Sequence, residues 1–167
     1  FGKEFKVIAT DQSWAQLNLH SPSENVLYVQ AHAEVSPLPA ASISLITVAQ
    51  GLHWFDFDLF YDEVERVLEP RGVIAAWTYS FLTASSQLGV GIDNCVREFY
   101  HDVVGPYWPP ERIWVDKLYQ TIPFPFLELP APIFELEVFW NLDDLLGYVS
   151  SWSAVGEYIK AGATDPI

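Results

Sequence analysis

Asp11 directly follows a short apolar run, Lys6 to Thr10, and is the first side chain suited to specific binding. A carboxylate at the carboxyl end of a parallel strand can accept hydrogen bonds from both vicinal hydroxyls of a ribose. The same carboxylate can instead cap the following helix together with Ser13. The spacing alone leaves both roles open.

His53 and Trp54 form a second candidate group, between an apolar run and the start of a helix. The imidazole and the indole N–H can donate hydrogen bonds that orient a bound group. The alternative is an aromatic plug beneath the helix, with Trp54 packed on Phe57 or Tyr61. Taken alone, the residue pattern favours the plug.

Tyr107 and Trp108 lie in a proline-rich stretch, Gly105 to Trp114. Their rings can line a pocket for a small molecule, or they can attach this loop to the body of the protein. Arg97 and Arg112 can bind an acidic group through paired hydrogen bonds. In so acidic a chain, however, we expect these arginines to pair with nearby Asp or Glu residues.

Four runs rich in Val, Ile and Ala predict the strands that position these residues. Their alternation with amphipathic segments predicts an α/β fold with a mostly parallel sheet. The predicted strands are Lys6 to Thr10, Val26 to Gln30, Ile43 to Ala49 and Gly72 to Trp77.

Helical spacing of apolar residues predicts two helices between these strands. Ser13 caps a short helix that extends to His20, and a longer helix spans Asp56 to Leu68, with Asp56 or Asp58 as its cap. Further along, Val90 to Val104 is predicted to be helical. Phe134 to Trp140 alternates as a strand with one exposed face, and Asn141 caps a late helix.

The charge of the chain argues against nucleic acid as a partner. Eight Lys and Arg residues against 22 Asp and Glu residues give a formal net charge of -14, which repels phosphate backbones and anionic membrane surfaces. No run approaches the roughly 18 uncharged apolar residues of a membrane helix. We expect neither nucleic acid nor a membrane as a partner.

Cys95 is the single cysteine. It excludes an internal disulfide and suits a reducing compartment, so we predict a cytoplasmic location. The four histidines show no metal-ligand spacing with cysteine or carboxylates, and we predict no metal site.

Four segments in this order resemble the type 11 class I S-adenosylmethionine-dependent methyltransferases, especially the branch of the trans-aconitate methyltransferases. The resemblance covers nearly the whole chain, and the third segment is the most specific. It implies a Rossmann-like, doubly wound sheet with a helical cap. The segments are VIATDQSWAQL (Val7 to Leu17), AHAEVSPLP (Ala31 to Pro39), the stretch Ser44 to Trp77, and FYHDVVGPYWPPER (Phe99 to Arg112).

The resemblance implies S-adenosyl-L-methionine as cofactor, with Asp11 at its ribose. It also assigns cofactor contacts to Gln12, Ala33 and Gln50. Related enzymes often carry an Asp before the alanine of the second segment, whereas this chain has His32. That change removes an acceptor for the adenine amino group, which a backbone carbonyl or Glu34 would have to replace.

The resemblance places His53 and Trp54 beside the sulfonium, where methyl transfer is an in-line displacement. Such a reaction requires an aligned nucleophile and the exclusion of water more than it requires a strong base. We therefore predict His53 and Trp54 as catalytic orienting donors. Tyr79, Tyr107 and Trp108 are the predicted binding residues for a small-molecule acceptor, with a carboxylate as one candidate.

The resemblance also divides the chain into three parts. Residues 1–80 form a partial Rossmann-like cofactor-binding core, and residues 81–132 form a helical and proline-rich cap. Residues 133–167 supply a late strand and the following helices of the same domain. The family's glycine-rich loop is expected before Phe1 and its final strand after Ile167, so we predict that a missing segment or a homodimer completes the sheet.

Two functions follow from this resemblance. The preferred hypothesis is methyl transfer to a small molecule. The alternative is a noncatalytic methyltransferase fold kept for binding or scaffolding, because the glycine-rich loop is not in the sequence, His32 replaces a common acidic residue, and Arg71 stands where the family usually has glycine.

Overall fold

The computed structural model describes residues 5–19, 23–79, 81–84, 89–162 and 164–167. The strands are β1 (Val7–Asp11), β2 (Val26–Gln30), β3 (Ile43–Ala49) and β4 (Leu68–Trp77). The α-helices are α1 (Trp14–Leu17), α2 (Phe57–Val67), α3 (Gly89–Glu98), α4 (Arg112–Asp116), α5 (Leu142–Ser150) and α6 (Ser153–Lys160).

All four of the predicted sheet strands form, and they pair as two parallel ribbons. β1 pairs with β2 in continuous register up to Asp11 opposite Gln30. β3 pairs with β4, and that ribbon ends with Ala49 opposite Trp77. Parallel strands that alternate with helices confirm the predicted α/β fold class.

β4 begins four residues earlier than predicted because the turn into it lies within the strand. Its register against β3 is irregular between Leu68 and Val73. Arg71 adopts a left-handed backbone with φ of 73°. A Cβ atom on Gly72 would lie 2.8 Å from Leu68 Cδ2 and 3.0 Å from the Glu69 carbonyl oxygen. Glycine is therefore required at position 72 by close packing.

Two predicted helices form with the expected caps. Asp56 caps α2 by accepting a hydrogen bond from the Leu59 N–H at 3.2 Å. Ser13 caps α1, which ends at Leu17 rather than at the predicted His20. His20 itself lies outside the described residues.

The chain divides into two compact units. The first comprises Phe1–Trp77 with Pro123–Phe126, and the second comprises Thr78–Ile122 with Leu127–Ile167. The division predicted from the sequence, a core over residues 1–80, a cap over residues 81–132 and residues 133–167 as a late part of the same domain, stays a prediction. The buried side chains of the first unit include Val48, Leu52, Phe60, Val64 and Val67.

The second unit is built around a small apolar core. Val104, Ala154 and Val155 are buried there, and aromatic side chains pack around them. The predicted helix from Val90 to Val104 forms as α3 followed by a π-helical turn, Phe99–Val103. None of the described helices is both long and apolar enough to cross a membrane.

The strand predicted over Phe134 to Trp140 is wrong. This segment has no regular structure, and Phe134 and Phe139 are 84% and 90% exposed. A strand needs a hydrogen-bonding neighbour for its backbone, and no described strand pairs with this one. The helix after it is capped as predicted, since Asn141 and Asp144 form a reciprocal capping box.

Candidate functional site

Asp11 lies at the carboxyl end of β1, half-buried, with its two carboxylate oxygens in different environments. Oδ1 accepts a hydrogen bond from the Ser13 N–H at 2.7 Å. Oδ2 accepts none from any described residue. The carboxylate therefore supports the turn into α1 with one oxygen, and its other oxygen has no partner among the described residues, so both of the roles left open by the sequence are compatible with its geometry.

The segment after β2, residues 31–39, is called the β2 loop. Its first residue donates from the Ala31 N–H to the Asp11 carbonyl oxygen at 3.1 Å. Ala33 lies in a tight turn closed by a bridge between His32 and Val35. Gln12 lies beside this loop, and its carbonyl oxygen accepts a hydrogen bond from the side chain of the last β2 residue. Three of the predicted cofactor residues therefore lie along one edge of the first ribbon.

Helix α2 holds the β2 loop at three points. Glu34 Oε1 accepts a hydrogen bond from the Asp56 N–H at the helix start, at 3.1 Å. Glu63 Oε1 accepts from the Ser36 N–H at 2.8 Å. Arg66 Nη1 donates to the Leu38 carbonyl oxygen at 2.8 Å. These contacts join the edge of the first ribbon to the helix that follows β3.

We call these three contacts between α2 and the β2 loop the clamp. Glu63 is its central residue and is buried on the apolar face of α2. Arg66 donates to both of its oxygens, with Nε and Nη2 each at 2.7 Å. These hydrogen bonds, with smaller contributions from Ser36, lower the pKa of Glu63 to about 2. This role of Glu63 was not predicted from the sequence, although a charged side chain on an apolar helix stripe is a usable signal of a buried polar contact.

Gln50 begins the connection from β3 to α2 with a left-handed backbone, φ 54°. Its N–H donates to the Trp77 carbonyl oxygen at 3.0 Å. A non-glycine residue in this conformation costs of order 1–3 kcal/mol and is often found at functional sites. The predicted role of Gln50 in cofactor binding is compatible with this position.

His53 and Trp54 follow in a 3₁₀ turn, Leu52–Trp54. His53 is 7% exposed and Trp54 is 52% exposed, with ring centroids 4.8 Å apart. The plug interpretation is wrong for Trp54, because in the described chain its ring contacts His53 and no ring of α2. The indole N–H of Trp54 makes no hydrogen bond to a described residue.

The residues predicted to bind the acceptor lie in the second unit, and two of them pack against other side chains of that unit. Tyr107 makes an edge contact with Tyr158, with centroids 5.1 Å apart. Trp108 lies 4.8 Å from the Tyr100 ring and donates from Nε1 to the Tyr100 carbonyl oxygen at 3.3 Å. The two rings thus attach the proline-rich loop to the helices, and their role in acceptor binding stays a prediction.

Tyr79, the third of these residues, lies next to the Tyr148 hydroxyl.

The two arginines differ in their partners. Arg112 pairs with Asp116, Nε to Oδ1 at 3.0 Å, as expected for a local acid. Arg97 instead lies over the Phe81 ring, 5.2 Å from its centroid.

Comparison with known proteins identifies the family. A family model described as a methyltransferase domain matches residues 2–76. A protein of Dictyostelium discoideum that is named as a methyltransferase is 33% identical over 160 residues, which are 96% of this chain and 60% of that protein. A solved structure described as a type II methyltransferase from Anaeromyxobacter dehalogenans is 41% identical, with a TM-score of 0.81 over 96% of this chain and 67% of that one.

The chain belongs to this methyltransferase family. Its Rossmann-like α/β fold is the one that the resemblance implies. The chain spans about three fifths of the length of the Dictyostelium relative and two thirds of the Anaeromyxobacter one. Membership of this chain in the trans-aconitate branch of the family stays a prediction.

The described residues fit the adenosine half of S-adenosylmethionine, the cofactor that methyltransferases of this class use. Asp11 Oδ2 has no partner among the described residues and suits a ribose hydroxyl. The β2 loop beside it is held by hydrogen bonds to α2. The sequence contains no glycine-rich turn that would fit the methionine half.

Proposed function

We propose that the complete protein transfers a methyl group from S-adenosylmethionine to a small-molecule acceptor that carries a carboxylate. Membership of the family supports the reaction class. The observation that supports cofactor binding by this chain is Asp11, which has one oxygen anchored and the other without a partner among the described residues, next to the β2 loop that α2 holds.

The residues of the first unit bind the cofactor in this proposal. Asp11 accepts from a ribose hydroxyl, and the turn around Ala33 contacts the adenine. Gln12 and Gln50 contribute contacts at the carboxyl ends of β1 and β3. When bound, the cofactor supplies an electrophilic methyl carbon.

A carboxylate acceptor explains why the candidate catalytic residues are hydrogen-bond donors. A carboxylic acid is already ionised at neutral pH, so the protein needs to orient an oxygen and exclude water rather than remove a proton. His53 is buried and Trp54 is accessible. Trp54 Nε1 orients the acceptor, and the His53 ring packs against the indole.

Titration calorimetry with S-adenosylhomocysteine tests cofactor binding. We expect D11N to weaken binding by about 10-fold to 100-fold, because a hydrogen bond to a charged group contributes about 1.5–3 kcal/mol. The matched control is E24Q, which removes the same charge from an exposed residue of the first unit. Equal affinity of D11N and E24Q would contradict the assignment.

Transfer of a labelled methyl group to a panel of carboxylic acids tests the reaction. Methyl ester formation by the complete protein, lost in W54A, is the expected result. Cofactor binding without transfer to any acid would instead favour the noncatalytic scaffold.

A further inference from the structure

The guanidinium of Arg112 is held rigidly within the second unit. Its central carbon lies 4.4 Å from the centroid of the Trp108 ring and 5.2 Å from that of the Tyr100 ring. Nε donates to the Tyr100 hydroxyl oxygen at 2.8 Å and to Asp116 Oδ1 at 3.0 Å. A guanidinium stacked and anchored in this way has lost most of its rotamer freedom before any ligand arrives.

The two terminal nitrogens of Arg112 have no such partners. All of its hydrogen bonds to described residues are made by Nε, so Nη1 and Nη2 present their N–H groups as an open fork. The side chain is 21% exposed, and a ligand can reach it. A planar fork of this kind matches the two oxygens of a carboxylate.

The neighbours of Arg112 set the charge of the surrounding space. Asp116 is half-exposed, and its negative charge offsets part of the positive charge of Arg112. The Tyr100 hydroxyl donates to Asp116 Oδ1 at 2.8 Å, and burial with this hydrogen bond raises the pKa of Tyr100 to about 12, so the phenol is neutral. Tyr148 is close enough for the charge of Arg112 to act on its hydroxyl.

We propose that Arg112 binds the carboxylate of a planar or aromatic organic acid through its terminal nitrogens, with Trp108 as one wall of the site. The binding of this acid does not depend on the proposed function. Trp108 thereby gains a role beyond attachment of the loop.

Charge favours a carboxylate over a phosphate in this site. One arginine that already shares its charge with Asp116 can neutralise a single negative charge. A phosphate carries about two, in a chain whose formal net charge is -14. The flat aromatic neighbours also suit a planar group better than a tetrahedral one.

Calorimetric titration of the full chain with benzoate, without any cofactor, tests the proposal. Benzamide is the neutral probe of the same shape. We expect benzoate to bind, benzamide not to bind, and R112Q to weaken benzoate binding at least about tenfold. K160Q is the control, since it removes the same charge from an exposed residue of the same unit, and it should change the affinity less than about twofold.

Two further variants separate binding from a purely structural role. D116N removes the competing charge and keeps an acceptor for Nε, so it should tighten benzoate binding by about threefold or more. R112K keeps the charge without the fork and should be weaker than the native protein. Both remain informative if R112Q fails to fold.

Three outcomes would overturn the proposal: no benzoate binding, equal binding of benzamide, or unchanged affinity in D116N and R112K. Displacement of benzoate by equimolar inorganic phosphate would overturn the choice of a carboxylate. Because no cofactor is present, failure here leaves the cofactor-binding result for Asp11 unaffected, and a failure of methyl transfer leaves this result unaffected.

Discussion

At the scale of single residues, several side chains lie in positions that lower the free energy of unfolding. Substitution of each residue measures its cost. Tyr61 is buried in α2, and its hydroxyl has no hydrogen-bond partner in the part of the chain that the structure describes. Burial raises the pKa of Tyr61 to about 12, so the group stays neutral and unsatisfied. The rings of Phe124 and Phe126 surround it with edge contacts.

Y61F should therefore stabilise the protein by about 1 kcal/mol, because it removes an unsatisfied buried hydroxyl without changing the ring. Urea denaturation of the native protein and the variant measures the difference. Y148F is the matched control. It should destabilise the protein, since the half-buried Tyr148 hydroxyl has polar interactions with Tyr79 and Trp152 that the substitution removes.

Arg71 provides a second prediction, because its side chain is exposed and its backbone has positive φ. R71G should raise the free energy of unfolding by about 0.5–1 kcal/mol, since relief of the left-handed strain exceeds the entropic cost of glycine. G72A should lower it, because the added Cβ would meet Leu68 and the Glu69 carbonyl. If both substitutions destabilise the protein, the strain at position 71 has been misassigned.

At the scale of elements, the contact between α2 and the β2 loop joins parts of the chain that are far apart in sequence. Ser36 and Glu63 are 27 residues apart, and the burial of Glu63 follows from the helical spacing of Phe60, Val64 and Val67. The clamp positions the candidate adenine-binding turn. A change in Glu63 should therefore affect both stability and cofactor binding.

E63Q should lower the free energy of unfolding by about 2 kcal/mol at neutral pH, since two hydrogen bonds to a charged oxygen pair are weakened. E65Q, on the exposed face of the same helix, is the control. The pKa of Glu63 is lowered from 4.5 to about 2 on folding. Its stabilising contribution should thus be complete above pH 4.5 and be lost as the pH falls towards 2.

Chemical denaturation of the native protein and of E63Q between pH 2 and pH 7 measures this contribution. The difference in unfolding free energy between the two proteins should shrink over that interval. A constant difference would mean that the carboxylate charge of Glu63 contributes nothing to the clamp.

At the scale of the whole molecule, residues 127–140 connect a piece of the first unit, Pro123–Phe126, to the helices of the second. The segment has no regular structure, and many of its apolar side chains are exposed. Exposed and irregular backbone is the usual site of proteolytic cleavage.

Brief digestion with chymotrypsin should therefore cleave first after Phe134 or Phe139, and mass spectrometry of the fragments identifies the site. Trypsin is the control, because the segment contains no Lys or Arg. Initial cleavage by chymotrypsin within the first unit would show that the segment is protected in solution, by a partner or by a second copy of the chain.

Local sequence patterns determined most of the secondary structure of this protein. The apolar runs of β2 and β3 and the caps at Asp56 and Asn141 depend on neighbours within four residues, and they form as predicted. The family and the fold class also followed from short motifs. Asp11 was placed at a strand end because that position depends on the local run of residues.

Only the tertiary structure decided the roles of residues whose partners are distant in sequence. Glu63 holds the β2 loop because it accepts a hydrogen bond from Ser36, which is 27 residues away in sequence. The guanidinium of Arg112 is anchored because the Tyr100 hydroxyl and the Trp108 ring contact it. The segment from Phe134 to Trp140 has the alternation of a strand but forms none, since hydrogen bonds between strands require a partner that a local pattern does not specify.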